Sequence, residues 1–192
     1  AAGADQNLCN VTVATLAGNT PTTGTGLWTV IAGTATITTP TSATSGLTGL
    51  TIGASVTLRW TISNGACAAS TDDITISVAS PPTTSAAGAD QNLCNVTVAT
   101  LAGNTPTTGT GLWTVIAGTA TITTPTSATS GLTGLTIGAS VTLRWTISNG
   151  GCASSTDDIT INIAAPPTTS AAGSDQNLCN VTTATLAGNT PA

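Results

Sequence analysis

The chain has 192 residues and lacks His, Lys, Glu, Met, Phe and Tyr altogether. Its only basic residues are Arg59 and Arg144, and its seven acids are all Asp, so 5% of the chain is charged against the ~25% usual in soluble domains. Each absence excludes something. A net charge of −5 with no Lys argues against nucleic acid, because neutralising phosphates takes clustered cations. Most general acids, bases and metal ligands come from His, Glu and Lys, so the chain reads as a non-enzyme. No apolar run approaches the ~20 residues that span a bilayer, and no basic amphipathic stretch suits a membrane surface, so membrane insertion is not expected. The opening "AAGADQ" has neither Met nor a signal peptide, which reads as a piece of a longer, processed protein.

What is present is repetition. "AAGADQNLCNVTVATLAGNTP" begins at Ala1 and again at Ala86, and "AAGSDQNLCNVTTATLAGNTP" begins at Ala171. The period is 85 residues, too long for a solenoid turn and suited to one small domain. The expected organisation is repeat 1 over 1–85, repeat 2 over 86–170 and the start of a third over 171–192. "SPPTTSAAG" (80–88) and "APPTTSAAG" (165–173) mark the boundaries, where Pro-Pro-Thr-Thr favours an extended, semi-rigid linker. The two full copies differ at five positions: Ala66/Gly151, Ala69/Ser154, Ser77/Asn162, Val78/Ile163 and Ser80/Ala165.

Within a repeat, Thr dominates with Val, Ile and Trp, a β composition. "SVTLRWTIS" (55–63) alternates Val56, Leu58, Trp60 and Ile62 with Thr57, Arg59 and Thr61, the pattern of a half-buried strand. "DITISV" (73–78) does the same with Ile74, Ile76 and Val78. Between them Asn64-Gly65 predicts a tight hairpin, both residues accepting positive φ. Further strands are expected near 4–9, 11–17, 26–32, 34–38 and 45–51. About seven short strands with turn signals every ten or so residues predict an all-β fold of tandem immunoglobulin-like sandwiches, each about 85 residues long. Trp28 and Trp60, with Trp113 and Trp145 in the second copy, are assigned to the cores.

The five cysteines are the sharpest candidates. Cys9 and Cys67 recur as Cys94 and Cys152, and Cys179 opens the next pair. Without CxxC or His, zinc is disfavoured; without a neighbouring base, so is a catalytic thiol. Structural disulfides in an oxidising compartment fit best. Three pairings are open: within a repeat (Cys9–Cys67, Cys94–Cys152), between neighbours (Cys67–Cys94, Cys152–Cys179), or from the first strand of one domain to the hairpin turn of the next (Cys9–Cys152). In a standard sandwich the first strand's end and the last hairpin turn sit at opposite poles, so the within-repeat bond requires a short first strand or one that starts near the turn.

Asp72 and Asp73, repeated as Asp157 and Asp158, are the only charge cluster. They read either as a calcium site with Asp5 or Asp90, although no DxDxDG loop completes it, or as a strand-start cap plus a cross-strand pair of Asp73 with Arg59. "NVT" at Asn10, Asn95 and Asn180 matches a glycosylation sequon but suits a turn after the cysteine equally well.

Taken together, "AGADQNLC", "TLAGNTP", "GTGLWTV", "SVTLRWTISNG" and "STDDITI" resemble the PKD-like, Ig-like repeats of giant Bacteroidetes cell-surface adhesins, among them gliding-motility proteins exported by the type IX route. The resemblance implies an extracellular, cell-surface location, a β-sandwich, a role as one unit of a long fibre and no catalytic residues. It also implies the within-repeat pairing, which in the chain-entropy picture stabilises a domain by about 4 kcal/mol. The expected function is a structural repeat of a surface filament that gives length and strength for attachment, gliding or capture of other cells. Its partners would be copies of itself in a fibre or bundle, since an uncharged Thr/Ser/Ala surface opposes lateral packing little. The alternative is an adhesive module that holds glycans or cells with the loops at 18–26 and 39–49.

Overall fold

The computed structural model describes residues 1–191. In repeat 1 the strands are β1 (Gln6–Cys9), β2 (Val13–Thr15), β3 (Thr25–Ala32), β4 (Thr36–Ile37), β5 (Gly46–Thr48), β6 (Ser55–Ser63) and β7 (Ser70–Ala79). Repeat 2 returns them as β8 (Gln91–Cys94), β9 (Val98–Thr100), β10 (Thr110–Ala117), β11 (Thr121–Ile122), β12 (Gly131–Thr133), β13 (Ser140–Ser148) and β14 (Ser155–Ala164). In repeat 1 a four-stranded sheet ordered β1-β7-β6-β3 faces a three-stranded sheet ordered β2-β5-β4; in repeat 2 the sheets are β10-β13-β14-β8 and β11-β12-β9. This is the immunoglobulin-like sandwich read from the strand pattern.

Alternation decides which side chains fill each sandwich. Val56, Leu58 and Trp60 of β6 and Ile74, Ile76 and Val78 of β7 are buried, and Leu16, Leu47 and Leu50 close the core from the opposite side. The same positions build a second, separate core from Ala87 to Ile163. Trp28 and Trp60 are direct cross-strand partners, their ring centroids 5.0 Å apart and tilted, a favourable aromatic arrangement. Each indole N–H donates to a loop carbonyl, Trp28 to Ala43 and Trp60 to Asn19. The pair thereby pins the loops at 18–26 and 39–49 to the core. Trp113 and Trp145 repeat the arrangement.

Two local expectations change. The connection between β6 and β7 is longer than a two-residue hairpin: only Gly65 has positive φ, and Cys67 N–H donates to Asn64 O to close the turn. The turn then feeds β7 three residues before the expected start at Asp73, because Ser70, Thr71 and Asp72 pair with Ile62, Thr61 and Trp60. Backbone hydrogen bonding extends the strand through residues whose side chains stay in solvent.

The third copy of the opening motif has no strand among its described residues, 171–191. It nevertheless makes the local bonds of the first two. The amide of Ala171 donates to Asn189 Oδ1, as the amide of Ala86 does to Asn104 Oδ1 and the terminal ammonium of Ala1 to Asn19 Oδ1. Gln176 Nε2 donates to Thr185 O, as Gln6 does to Thr15 and Gln91 to Thr100. Asn10, Asn95 and Asn180 all adopt left-handed φ near 54°, a conformation Asn tolerates.

Candidate functional site at the junction between repeats

Each sandwich has two poles, and β1 decides which residues occupy them. It runs parallel to β7, pairing Gln6 with Ile76 and Cys9 with Ala79. Cys9 therefore lies where the chain leaves the sandwich. Cys67 lies at the other pole, before β7 begins. At the usual strand rise the ten residues of β7 separate them by roughly 30 Å, far beyond the ~7 Å Cα limit of a disulfide. The within-repeat pairing implied by the resemblance is thus overturned, and the neighbour pairings Cys67–Cys94 and Cys152–Cys179 do not form either.

The bond that forms joins Cys9 to Cys152, with Cα atoms 4.8 Å apart and a sequence separation of 143. The exit pole of repeat 1 meets the hairpin tip of repeat 2, and the disulfide clasps them. Cys67, Cys94 and Cys179 carry no bond within this chain and are exposed. Around the clasp, Asn149 Nδ2 donates to Ser80 O at 2.8 Å, and the Cys152 sulfur approaches Ser80 O at 3.3 Å. Gly151 sits so close to β1 that an added Cβ would lie 2.6 Å from Asn7 O; only glycine fits without moving the turn.

The linker is fastened to repeat 2. Thr83 N–H donates to Thr108 O, its hydroxyl accepts from the Thr107 and Thr108 amides, and Ser85 N–H donates to Ser155 Oγ. Ala87 N–H donates to Asp157 Oδ2 at 2.7 Å. In repeat 2, then, the loop equivalent to 18–26 holds the incoming linker.

The acid pairs divide their work. Asp72 Oδ2 accepts from Ala2 N–H at 2.6 Å, as Asp157 does from Ala87. Asp73 meets Arg59 in a two-pronged pair at 2.7 and 2.8 Å, and Asp158 meets Arg144 likewise. Hydrogen bonding from Arg59 holds the Asp73 carboxyl below its ordinary pKa and raises that of the guanidinium; Asp158 and Arg144 shift the same way for the same reason. Asp5 and Asp90 cap the backbone at Thr75 and Thr160. The carboxylates point to different partners, and among the described residues no group of three or more His, Cys, Asp or Glu converges to hold a metal.

An open groove of about 500 Å³ runs along the junction, lined by Gly53, Ala54, Ser55, Ser77–Ser80 and Asn149. No charged side chain lines it. Sequence reasoning held Cys9–Cys152 open as one of three pairings but did not find the groove beside it, whose signal was the clustering of copy-to-copy differences. Gly151 and Ser154 lie at the hairpin tip and Ser77, Val78 and Ser80 at the opposite pole, so all five differences fall at the poles.

No protein-family model and no curated protein sequence matches the chain. Solved structures do. Extracellular domains 3–5 of Drosophila OTK align with TM-score 0.57 at 10% identity, over 83% of this chain and 59% of that one. Murine CEACAM1b aligns with TM-score 0.52 at 14% identity, over 81% of this chain and 94% of that one. The PKD domain of the KIAA 1837 protein aligns with TM-score 0.38 at 19% identity, over 42% of this chain and 85% of that one. At these identities the likeness concerns the fold, and it places the chain's architecture among tandem immunoglobulin-like domains.

Proposed function

We propose that the chain is a tension-resisting segment of an extracellular filament or giant surface adhesin, assembled from 85-residue repeats with the third beginning at Ala171. The observation that carries this reading is the Cys9–Cys152 clasp. Tension applied to the ends passes from Cys9 through the disulfide to Cys152 and bypasses what lies between. Both sandwiches except β1 and β14 lie inside that covalent loop, so they are shielded from unravelling. A persistent disulfide fits an oxidising, extracellular compartment, and the scarcity of catalytic residue types fits a non-enzymatic role. Near-identical copies suit a fibre that needs uniform length. The likeness to extracellular domains of OTK agrees with an extracellular setting, and attachment, gliding or capture of other cells are the tasks such a fibre would serve.

The test is single-molecule extension of the chain held at its two ends, with and without reductant. With the bonded cysteines separated by 143 in sequence, reduction is expected to add about 500 Å of releasable contour, at ~3.5 Å per residue. Equal contour under both conditions would sink the proposal.

A further inference from the structure

The hairpin tip of repeat 2 carries an Asn-Gly dipeptide, Asn149-Gly150, whose chemistry the clasp does not use. An Asn followed by Gly loses its side-chain amide readily, because glycine has no side chain to keep its backbone nitrogen away from the preceding Asn Cγ. At the junction this reaction is held back. Asn149 is half-buried, and its Nδ2 donates to Ser80 O at 2.8 Å. A Cβ added to Gly150 would lie 2.9 Å from the Ala79 Cβ, and one added to Gly151 would lie 2.6 Å from Asn7 O. The backbone after Asn149 is therefore packed against repeat 1, and Cys152 ties the turn covalently to Cys9. For Gly150 N to reach Asn149 Cγ, the carboxamide must swing over its own backbone and give up Ser80.

Repeat 1 carries the same dipeptide at Asn64-Gly65. In this chain Asn64 is exposed, and nothing lies within 4 Å of the Cβ position of Gly65. That turn serves only as the reference for an undocked tip.

We propose that Asn149 is a deamidation site guarded by the closed junction, and that its conversion marks a junction that has opened. The inference rests on the reading of the clasp as the element that holds the junction shut. The Gly150 nitrogen attacks Asn149 Cγ and a succinimide ring closes. The Gly150 amide proton goes to the departing side-chain nitrogen, which leaves as ammonia. Water then opens the ring at either carbonyl. One product carries an ordinary aspartate side chain. In the other, isoaspartate, the main chain runs through the side chain and is lengthened. No oxidant or cofactor takes part.

Neither product restores the contact. A carboxylate cannot donate to Ser80 O. No charged side chain lines the groove beside it, and the chain's only basic residues, Arg59 and Arg144, are paired with Asp73 and Asp158. The new negative charge faces a carbonyl oxygen with no cation to receive it. Isoaspartate also lengthens the turn just before Gly151, which already lies against Asn7 with no room for a Cβ. Conversion therefore disfavours reclosing, and the step does not reverse.

The experiment uses the full chain carrying Cys67→Ser, Cys94→Ser and Cys179→Ser, so that reductant acts on the clasp alone. It is incubated at neutral pH with and without a phosphine reductant, and digests are mapped for aspartate and isoaspartate at positions 149 and 64. In the oxidised chain Asn149 is expected to convert about tenfold more slowly than Asn64, the protection that a hydrogen bond gives a site that must open to react. Reduction is expected to raise the Asn149 rate severalfold and leave that of Asn64 unchanged. The Asn149→Asp variant, which carries one product from the start, is expected to shift the Cys9–Cys152 bond severalfold toward the dithiol in a glutathione redox buffer. Equal rates at the two sites in the oxidised chain, an Asn149 rate indifferent to reduction, or an unaltered redox balance in Asn149→Asp would each overturn the proposal. The Cys9–Cys152 bond is mapped in the same digests. Its presence with equal rates defeats the guarded site alone, whereas its absence from the oxidised chain defeats the clasp itself.

Discussion

At the scale of single residues, the chain tolerates no side chain where the Trp rings lie. The Trp60 indole covers Gly26 so closely that an added Cβ would overlap the ring, and Trp145 covers Gly111 in the same way. Neither ring can retreat, because each is buried and bonded through its N–H. Gly26→Ala is expected to destabilise repeat 1 by about 2–3 kcal/mol, in the range of core overpacking, and chemical denaturation should show a separate early transition with repeat 2 unaffected. The exposed Asp73–Arg59 and Asp158–Arg144 pairs act on a different axis. Because the folded Asp73 carboxyl has a lowered pKa, the folded state takes up a proton less readily than the unfolded chain. The pair's stabilisation is therefore present above the ordinary carboxylate pKa of ~4 and is lost as pH falls through the lowered folded value. Thermal unfolding followed from neutral to acid pH should show a small loss of stability in that window, reduced in an Asp73→Asn, Asp158→Asn double variant. Solvent screening keeps the effect small.

At the scale of elements, strands with one buried face were legible from sequence alone. The alternation Val56, Leu58, Trp60 and Ile62 fixes β6 residue for residue, and Ile74, Ile76 and Val78 fix the inner half of β7. What stayed open was set by long-range pairing, the choice among the three cysteine pairings above all. The parallel union of β1 with β7 leaves no mark in the period-2 pattern of either strand, yet it alone carries Cys9 away from Cys67. Asn-Gly signals a tight turn only where flanking residues are free to pair at once; here 64–69 form a longer connection, and its copy in repeat 2 reaches back to the preceding repeat through Asn149 and Cys152. The acid pair was half legible. The outward parity of Arg59 and Asp73 foretold their meeting, whereas Asp72's bond to Ala2, 70 residues away, had no local signature. Asp72 and Asp157 latch the segment entering each sandwich. Asp157→Ala is expected to cost repeat 2 about 1.5–3 kcal/mol, as for a hydrogen bond to a charged acceptor, and to speed amide hydrogen exchange at Ala87 specifically.

At the scale of the whole molecule, the question is what keeps two separately folded sandwiches in line. Their cores share no residues, and the two ion pairs among the described residues lie inside repeats rather than across the junction. Alignment rests on three devices of different strength: the Cys9–Cys152 bond, the Asn149–Ser80 hydrogen bond, and a linker whose far half is tied down at Thr83, Ser85 and Ala87. The untied stretch is short, Pro81-Pro82, and the two successive prolines restrict it to extended conformations. A hydrogen bond between neutral groups contributes about 0.5–1.5 kcal/mol net, too little to hold the angle alone against thermal bending, whereas the disulfide fixes it covalently. Small-angle scattering combined with inter-domain residual dipolar couplings should therefore report one orientation for the oxidised chain and the same orientation for oxidised Asn149→Ala. Reduction should leave each sandwich folded, with its internal couplings unchanged, while the inter-domain couplings weaken. Reduced Asn149→Ala should show the widest spread of angles. If reduction left the inter-domain couplings at full strength, the linker and its hydrogen bonds would be the stiffening element, and the disulfide would serve only to limit extension under tension.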